Sequence, residues 1–288
     1  MANILKRVSD NVTGDFFVDA TCINCDTCRQ IAPATFEEAP DYAYVYRQPR
    51  DKSEWRLAIQ ALLSCPTGSI GSRRKEAISE VMNDFPLRVE NDVFYCGFTS
   101  PKSFGGSSYF VQQPEGNWLI DAPKYLSRLV RAFESLGGIR YIFLTHRDDV
   151  AEAQRYASRF NSERIIHRAE LSAQPDAEIV LDGQKEVEIV PKFLVIPTPG
   201  HTRGHHVLLY NNRYLFTGDH LWWNRSTKRL AASRRFCWYS WSEQIESMKK
   251  LLDYSFEWVL PGHGQRIQLP PNVMREKIAM LVSHMEKS

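Results

Sequence analysis

Short apolar runs of strand length recur through the later part of the chain: Tyr109 to Val111, Trp118 to Ile120, Tyr141 to Leu144, Phe193 to Ile196, Val207 to Tyr210, Tyr214 to Phe216 and Trp258 to Leu260. Polar or turn-forming residues bound each run, the pattern of buried strands. Between some of them the period becomes helical. Leu126, Leu129, Val130, Phe133 and Leu136 share one helical face, with Gly137 as the stop. Ser240 and Glu243 have the spacing of a capping box that opens a second stripe of Trp241, Ile245, Met248 and Leu252. Strands alternating with amphipathic helices predict an α/β fold in which helices cover sheets.

The 288 residues are 43% hydrophobic and 24% charged, which excludes disorder, collagen and coiled coil as whole-chain descriptions. Residues 71–84, GSRRKEAISEVMND, are polar and charged and are followed by Pro86, the composition of a connector holding a short helix. The division expected is a first domain over 1–84 and a second over 85–288. Thirty-six Lys and Arg against 34 Asp and Glu leave +2, a balance that gives no reason to expect nucleic acid or an anionic membrane as partner. No run approaches the roughly 18 apolar residues of a spanning helix, and the N-terminus lacks an apolar stretch of signal-peptide length. A cytoplasmic chain with reduced thiols is expected.

Four of the six cysteines lie in the first quarter, whereas all eight histidines lie between His146 and His284. Cys22-x-x-Cys25-x-x-Cys28 places three thiols on one tight turn, and Cys65 is followed directly by Pro66. The triple spacing suits a cubane, and with only one such triple Cys65 completes the same cluster, giving one 4Fe-4S centre. A zinc knot on the same thiolates is the competing reading, for which paired C-x-x-C units would be more usual. The segment FFVDATCINCDTCRQIAPATFEE, together with CPTGSIG, resembles a single-cluster bacterial-type ferredoxin. That resemblance implies a small α+β domain and electron transfer. Cys96 and Cys237 have no partners at ligand spacing and are assigned no role.

In the later part, apolar runs end in a turn residue and then a ligand-type side chain: FLTH at His146, VIPTPGH at His201, LFTGD at Asp219 and VLPGH at His263. Strand ends of one sheet bring groups distant in sequence to a common rim. These residues, with TPGHTRGH and LFTGDH as the most specific stretches, resemble the metallo-β-lactamase fold over residues 86–288. The resemblance implies a four-layer αβ/βα sandwich with metal at one edge. Its first motif normally reads T-H-x-H-x-D-H, and here Asp148 replaces the second His, Val150 the Asp and Ala151 the final His. Two side chains that would hold a second metal are therefore missing.

His146, His201 and Asp219 remain as a set of two histidines and one carboxylate, with Asp148 as a fourth ligand and His263 as a distal or supporting group. Such a set with open positions suits mononuclear non-haem iron, and the same positions resemble those of the persulfide dioxygenases and glyoxalase II-type members; zinc is the alternative. A metal-free reading has Asp148 and Asp149 capping a helix near Val150, and His201 and His263 serving only in turns. After Asp219, Arg225, Lys228, Arg229, Arg234 and Arg235 interleave with Trp222, Trp223, Trp238, Tyr239 and Trp241. This segment reads either as a clamp for a small anionic, largely apolar or conjugated substrate or a partner protein, or as a solvated basic loop over packed rings. His205, His206 and His220 stand beside the ligands, and His167 and His284 look incidental.

Joining a ferredoxin to a metal domain makes sense when the metal changes oxidation state. The leading expectation is an oxidoreductase in which an electron donor or acceptor protein feeds the cluster, and the cluster serves iron at His146, His201 and Asp219. The alternatives are a zinc-dependent hydrolase of thioesters or lactones with a structural or sensing ferredoxin, and a metal-free binding platform.

Overall fold

The structure is a computed structural model that describes residues 2–74 and 78–287. Near the N-terminus two small antiparallel ribbons, Phe16–Val18 with Ile70–Ser72 and Phe36–Glu38 with Ala43–Val45, flank the helices Thr27–Ile31 and Lys52–Ser64. The longer helix starts where the Asp51 carboxylate accepts from the Glu54 amide at 2.9 Å. It stops at Ser64 because Pro66 holds the preceding residue out of the helical region, so Cys65 is extended at φ −61 and ψ 121. A ligand-type thiol is thereby delivered at the end of a rigid element.

From Leu87 onward the chain forms two sheets. One has seven strands in the order Ile179–Leu181, Glu163–His167, Tyr141–Phe143, Trp118–Ile120, Tyr109–Val111, Val93–Tyr95, Leu87–Glu90; its first four strands run parallel to one another. The other has six, in the order Val187–Val190, Phe193–Pro197, His206–Tyr210, Tyr214–Gly218, Trp258–Pro261, Ile267–Gln268. Their inner faces meet through aromatic side chains. Trp118 stacks on Phe193 with centroids 4.2 Å apart, and the Tyr109 hydroxyl donates to the Pro261 carbonyl at 2.8 Å. Helices Ser127–Ser135 and Ala153–Phe160 cover the outer face of the first sheet through Leu129, Phe133 and Tyr156. Trp241–Lys250 and Pro271–Met285 cover the second through Met248, Met274 and Ile278. This is a four-layer αβ/βα arrangement.

All seven runs anticipated as strands are strands, and the 126–136 stripe forms the helix Ser127–Ser135 with Leu126 and Leu136 as its caps. The Ser240 side chain caps the Glu243 amide at 3.3 Å, but the reciprocal half of the box is taken by another partner: the Ser240 amide donates to the Gly200 carbonyl at 3.0 Å. Part of the connector is ordered differently from a free linker. Ile70–Ser72 is a strand of the first domain, and Ile78–Val81 is a helical turn, while 75–77 lie outside the described residues.

The two parts share one contiguous buried cluster running from Phe16, Ile59 and Ala61 to Tyr95, Tyr109 and Trp118. Polar bridges cross the same boundary: Thr99 donates to the Ser64 carbonyl at 2.7 Å, and Lys124 to the Pro66 carbonyl at 2.6 Å. Among the described residues no helix is long and apolar enough to cross a membrane.

Candidate metal centre and cluster site

Cys22, Cys25, Cys28 and Cys65 converge on one small chamber whose apolar walls include Val18, Ala43 and Ile70. Asn24 and Asp26, with φ of 54 and 68, make the tight turn that brings the first three thiols round. Backbone amides already point at sulfur, Ala43 N to Cys22 Sγ at 3.4 Å and Ser69 N to Cys65 Sγ at 3.3 Å. All four are free thiols. Burial pushes Cys25 up to about 11 and Cys28 well above the usual thiol range. Cys25 and Cys28 in such a place become thiolates only with strongly charged metal beside them, and with Cys22 and Cys65 completing the chamber the donor set fits an iron-sulfur cluster.

The rim is built by four chain segments leaving strands at the same edge. Phe193–Pro197 and Tyr214–Gly218 both run antiparallel to His206–Tyr210, and Trp258–Pro261 runs parallel to Tyr214–Gly218. Their C-terminal ends therefore deliver His201, Asp219 and His263 to one side, and Tyr141–Phe143 of the facing sheet delivers His146. His146 Nε2 lies 3.8 Å from Asp148 Oδ2 and 3.8 Å from Asp219 Oδ2; His201 Nε2 lies 3.6 and 3.7 Å from the same two atoms. Ligands about 2.1 Å from a common metal in a tetrahedron stand about 3.4 Å apart, so a small inward adjustment closes this cage on one ion. His263 Nε2 approaches only Asp219, at 3.8 Å.

The rest of the rim fixes these groups for that purpose. Asp121, at the end of Trp118–Ile120, accepts from the Thr145 amide at 2.9 Å and from the Thr145 hydroxyl at 3.1 and 3.0 Å. That hydroxyl pairs with His146 Nδ1 at 3.0 Å, which leaves Nε2 for the cage. The Nε2 atoms of His146 and His201 are buried and have no hydrogen-bond partner. An orphaned buried nitrogen costs stability unless something occupies it, and a metal ion bound between the two rings would do so at both. Burial pushes His146 down to about 4 despite Asp219, so its ring is neutral and ready to ligate. Burial also opposes charge on His201, but the Asp148 and Asp219 carboxylates outweigh it and hold that ring above its usual range. Asp219, although buried, stays below the usual carboxylate range because His263, His146 and His201 surround it. The residues present fit a metal ion.

Asp148 is therefore placed with the ligands rather than as a helix cap, and Asp149 is not a cap either: the following helix, Ala153–Phe160, has Glu152 at its N-cap. Val150 and Ala151 pack toward the outer core, away from the cage. Asp149, read from the pattern only as a helix cap, is the residue that the pattern did not place among candidate ligands. It is 2% exposed, its Oδ2 is unpartnered, and it groups with His146 and Asp219 at ligand distance. Its only signal in the sequence was adjacency to Asp148. Among the other histidines, His205 lies beside His146 with rings 5.2 Å apart and pairs with Thr198 at 2.9 Å. His206 points elsewhere, its Nδ1 donating to the Gly204 carbonyl at 2.7 Å and its ring tilted against that of His167. His284 is exposed on the last helix.

One cavity of about 680 Å³ links the two sites: Cys25, Asp26 and Arg29 line one side, and Asp148, His201, Asp219 and His263 the other. Of the cations in the segment after Asp219, Arg225 lines it and the others do not.

Residues 18–72 match the family model described as the 4Fe-4S single cluster domain of Ferredoxin I, and residues 147–263 match that of the metallo-beta-lactamase superfamily. Among solved structures, the DIM-1 metallo-beta-lactamase is 15% identical, with a TM-score of 0.52 over 68% of this chain and 95% of that one. VMB-1 is 18% identical, with a TM-score of 0.51 over 69% and 96%. A metallo-beta-lactamase from Cronobacter sakazakii carrying changes in its HARLDQ motif is 16% identical, with a TM-score of 0.50 over 70% and 96%. At such identity these likenesses show the fold. The chain joins an N-terminal single-cluster ferredoxin-type domain to a domain of the metallo-β-lactamase fold.

Proposed function

We propose that the chain is a metal-dependent oxidoreductase of the cytoplasm, in which the ferredoxin-type domain supplies single electrons to a mononuclear centre held by His146, Asp148, His201 and Asp219. The observation that carries this reading is the Gly105–Gly106 pair. A side-chain carbon at Gly105 would fall 3.1 Å from Cys25 Sγ, and one at Gly106 would fall 2.7 Å from Asp149 Oδ1. Two consecutive residues thus touch a cluster ligand on one side and the acid beside the metal cage on the other. A zinc hydrolase at the same rim would gain nothing from so short a link.

Iron bound in the cage supplies a one-electron couple and open positions for substrate. The chain's own contribution is to orient His146 through Thr145 and Asp121 while burial keeps its ring neutral, to keep Asp219 ionised, and to enclose both sites in one cavity. An external electron-donor protein and a small substrate complete the reaction in this reading.

The test is anaerobic purification with iron, zinc and sulfide quantification and EPR, followed by stopped-flow reduction of the full chain. Iron beyond four per chain, with its ferric signal lost after cluster reduction and retained in Cys25→Ser, supports the proposal. Zinc alone at the rim, with thioester or lactone cleavage indifferent to the state of the cluster, establishes the hydrolase instead. Neither metal nor either reaction leaves the binding-platform reading.

A further inference from the structure

Five aromatic side chains are exposed among the described residues, Tyr46, Phe104, Phe236, Trp238 and Tyr239, and four of them belong to two segments at the mouth of the shared cavity. Phe104 comes from the loop that also carries Gly105. It is 58% exposed and sits in the left-handed region at φ 48, a conformation that a bulky side chain rarely adopts. Its ring lies 6.4 Å from that of His263. On the other side, Trp238 is 57% exposed, its ring lies 6.2 Å from that of His201, and its amide is tied to the His201 carbonyl at 2.8 Å. Trp222 continues the wall inward, packed over Gly264.

Exposed rings that merely cover a core are not arranged this way. These two flank the histidines of the rim from separate elements, and a cavity of about 680 Å³ lies within the usual range for small-molecule sites, well short of a macromolecular interface. The cations lining it are largely spoken for. Arg29 is paired with Asp26 at 2.6 Å and Lys102 with Glu152 at 2.7 Å, which leaves Arg225 as the lining cation without an ion pair among the described residues. The carboxylates that also line it, Glu37, Glu38, Asp148 and Asp219 among them, offer an anion little to hold, and the exposed rings leave aromatic surface as the main attraction.

We infer that the cavity binds a planar, conjugated ring compound, held between the Phe104 and Trp238 faces above His263 and His201. This rests on the reading of the rim as the reacting site and names the substrate class that the site takes. Binding itself requires neither reductant nor electron transfer.

The test is isothermal titration calorimetry of the full chain, cluster oxidised and no reductant present, with 2-naphthol and with its saturated counterpart decahydro-2-naphthol. One molecule of 2-naphthol binds per chain, and the saturated compound, of similar volume but without a π face, binds about tenfold more weakly. Phe104→Ala and Trp238→Ala, on separate elements, each weaken 2-naphthol about tenfold, whereas Tyr46→Ala, an exposed ring outside the cavity, leaves it unchanged. Equal binding of the two compounds overturns the inference, as does binding indifferent to both cavity variants. Absence of saturable binding also overturns it and gives the exposed rings to a macromolecular partner. If 2-naphthol binds as described while stopped-flow finds no electron transfer between domains, the inference stands and the oxidoreductase reading falls.

Discussion

The Lys124 ammonium, on the metallo-β-lactamase-type domain, donates to the Pro66 carbonyl at 2.6 Å and lies 3.5 Å from that of Cys65. A cation of one domain is thus seated on the turn that begins at Cys65 of the other. Burial pulls Lys124 below its usual range, opposed by Cys65 and Cys25. A nearby positive charge favours the added electron of a reduced cluster. Lys124→Met is therefore expected to lower the cluster's midpoint potential by about 30–60 mV, a change of roughly 3- to 10-fold in a one-electron equilibrium. Potentiometric titration followed by EPR measures it, with Lys124→Arg close to wild type. An unchanged potential in Lys124→Met would show that the contact is only a domain clasp.

Gly105 lies against the cysteine turn. Its φ is +86, and a side-chain carbon there would meet Cys25 Cβ at 2.9 Å, Pro66 Cγ at 3.0 Å and Cys25 Sγ at 3.1 Å. Gly105→Ala must strain the backbone or push the loop off the cluster turn. The expected result is at least a tenfold slower reduction of the rim metal in stopped-flow, with cluster and metal contents kept. Gly183→Ala, with open space around it at φ +86, has the same backbone penalty and serves as the control that leaves the rate alone.

The cluster ligands act as a set. Cys25→Ser should remove the broad visible absorption and the acid-labile sulfide. Cys65→Ala should do the same although Cys65 is 37 residues beyond Cys28, because the helix Lys52–Ser64 delivers it to the chamber that the other three line. Full sulfide content in Cys65→Ala would mean that another residue completes the cluster.

Much of this was legible from residue pattern. The seven apolar runs are strands, the turn-plus-ligand endings are the rim, and the cysteine spacing is the chamber, because strand ends and tight turns leave local marks. What left no mark is what depends on the third dimension. Short strands such as Leu87–Glu90 and Arg229–Ala231 lack an apolar run, since only part of their surface is covered. Asp149 looked like its neighbour, and only the folded chain separates them: the Asp148 side chain is 46% exposed beside His201, while Asp149 is buried against Gly106 and Gly262. The basic segment after Asp219 suggested an anion clamp, but Lys228, Arg229, Arg234 and Arg235 do not line the cavity, and nothing in their order along the chain records which way they face. The contact of Gly105 with Cys25 joins residues 80 apart and has no local signature.

The last prediction concerns how many metals the rim holds. The Nε2 atoms of His146 and His201 each lie within 3.8 Å of both Asp148 Oδ2 and Asp219 Oδ2, and Val150 and Ala151 pack against the outer core, so one metal per chain beyond the cluster is expected. Asp149 is the group that tests this. Its Oδ2 and Asp219 Oδ1 each come within 2.8 Å of one point, the position of a side-chain carbon on Gly262. Burial, with Asp219 and Asp121 close by, holds the Asp149 carboxyl well above the usual carboxylate range, which keeps it a neutral acid beside an ionised partner. Asp149→Asn preserves that shape and neutrality, so it should keep one metal per chain with affinity reduced by no more than about tenfold, the lower end for a group that supports a ligand. His201→Ala, which removes a ligand outright, should leave the rim below stoichiometric occupancy after dialysis. Metal analysis of the full chain, corrected for cluster iron by sulfide, reads both variants. Two rim metals in the wild type falling to one in Asp149→Asn would instead make Asp149, with Asp219 and His263, a second ligand set, and the mononuclear reading would be wrong.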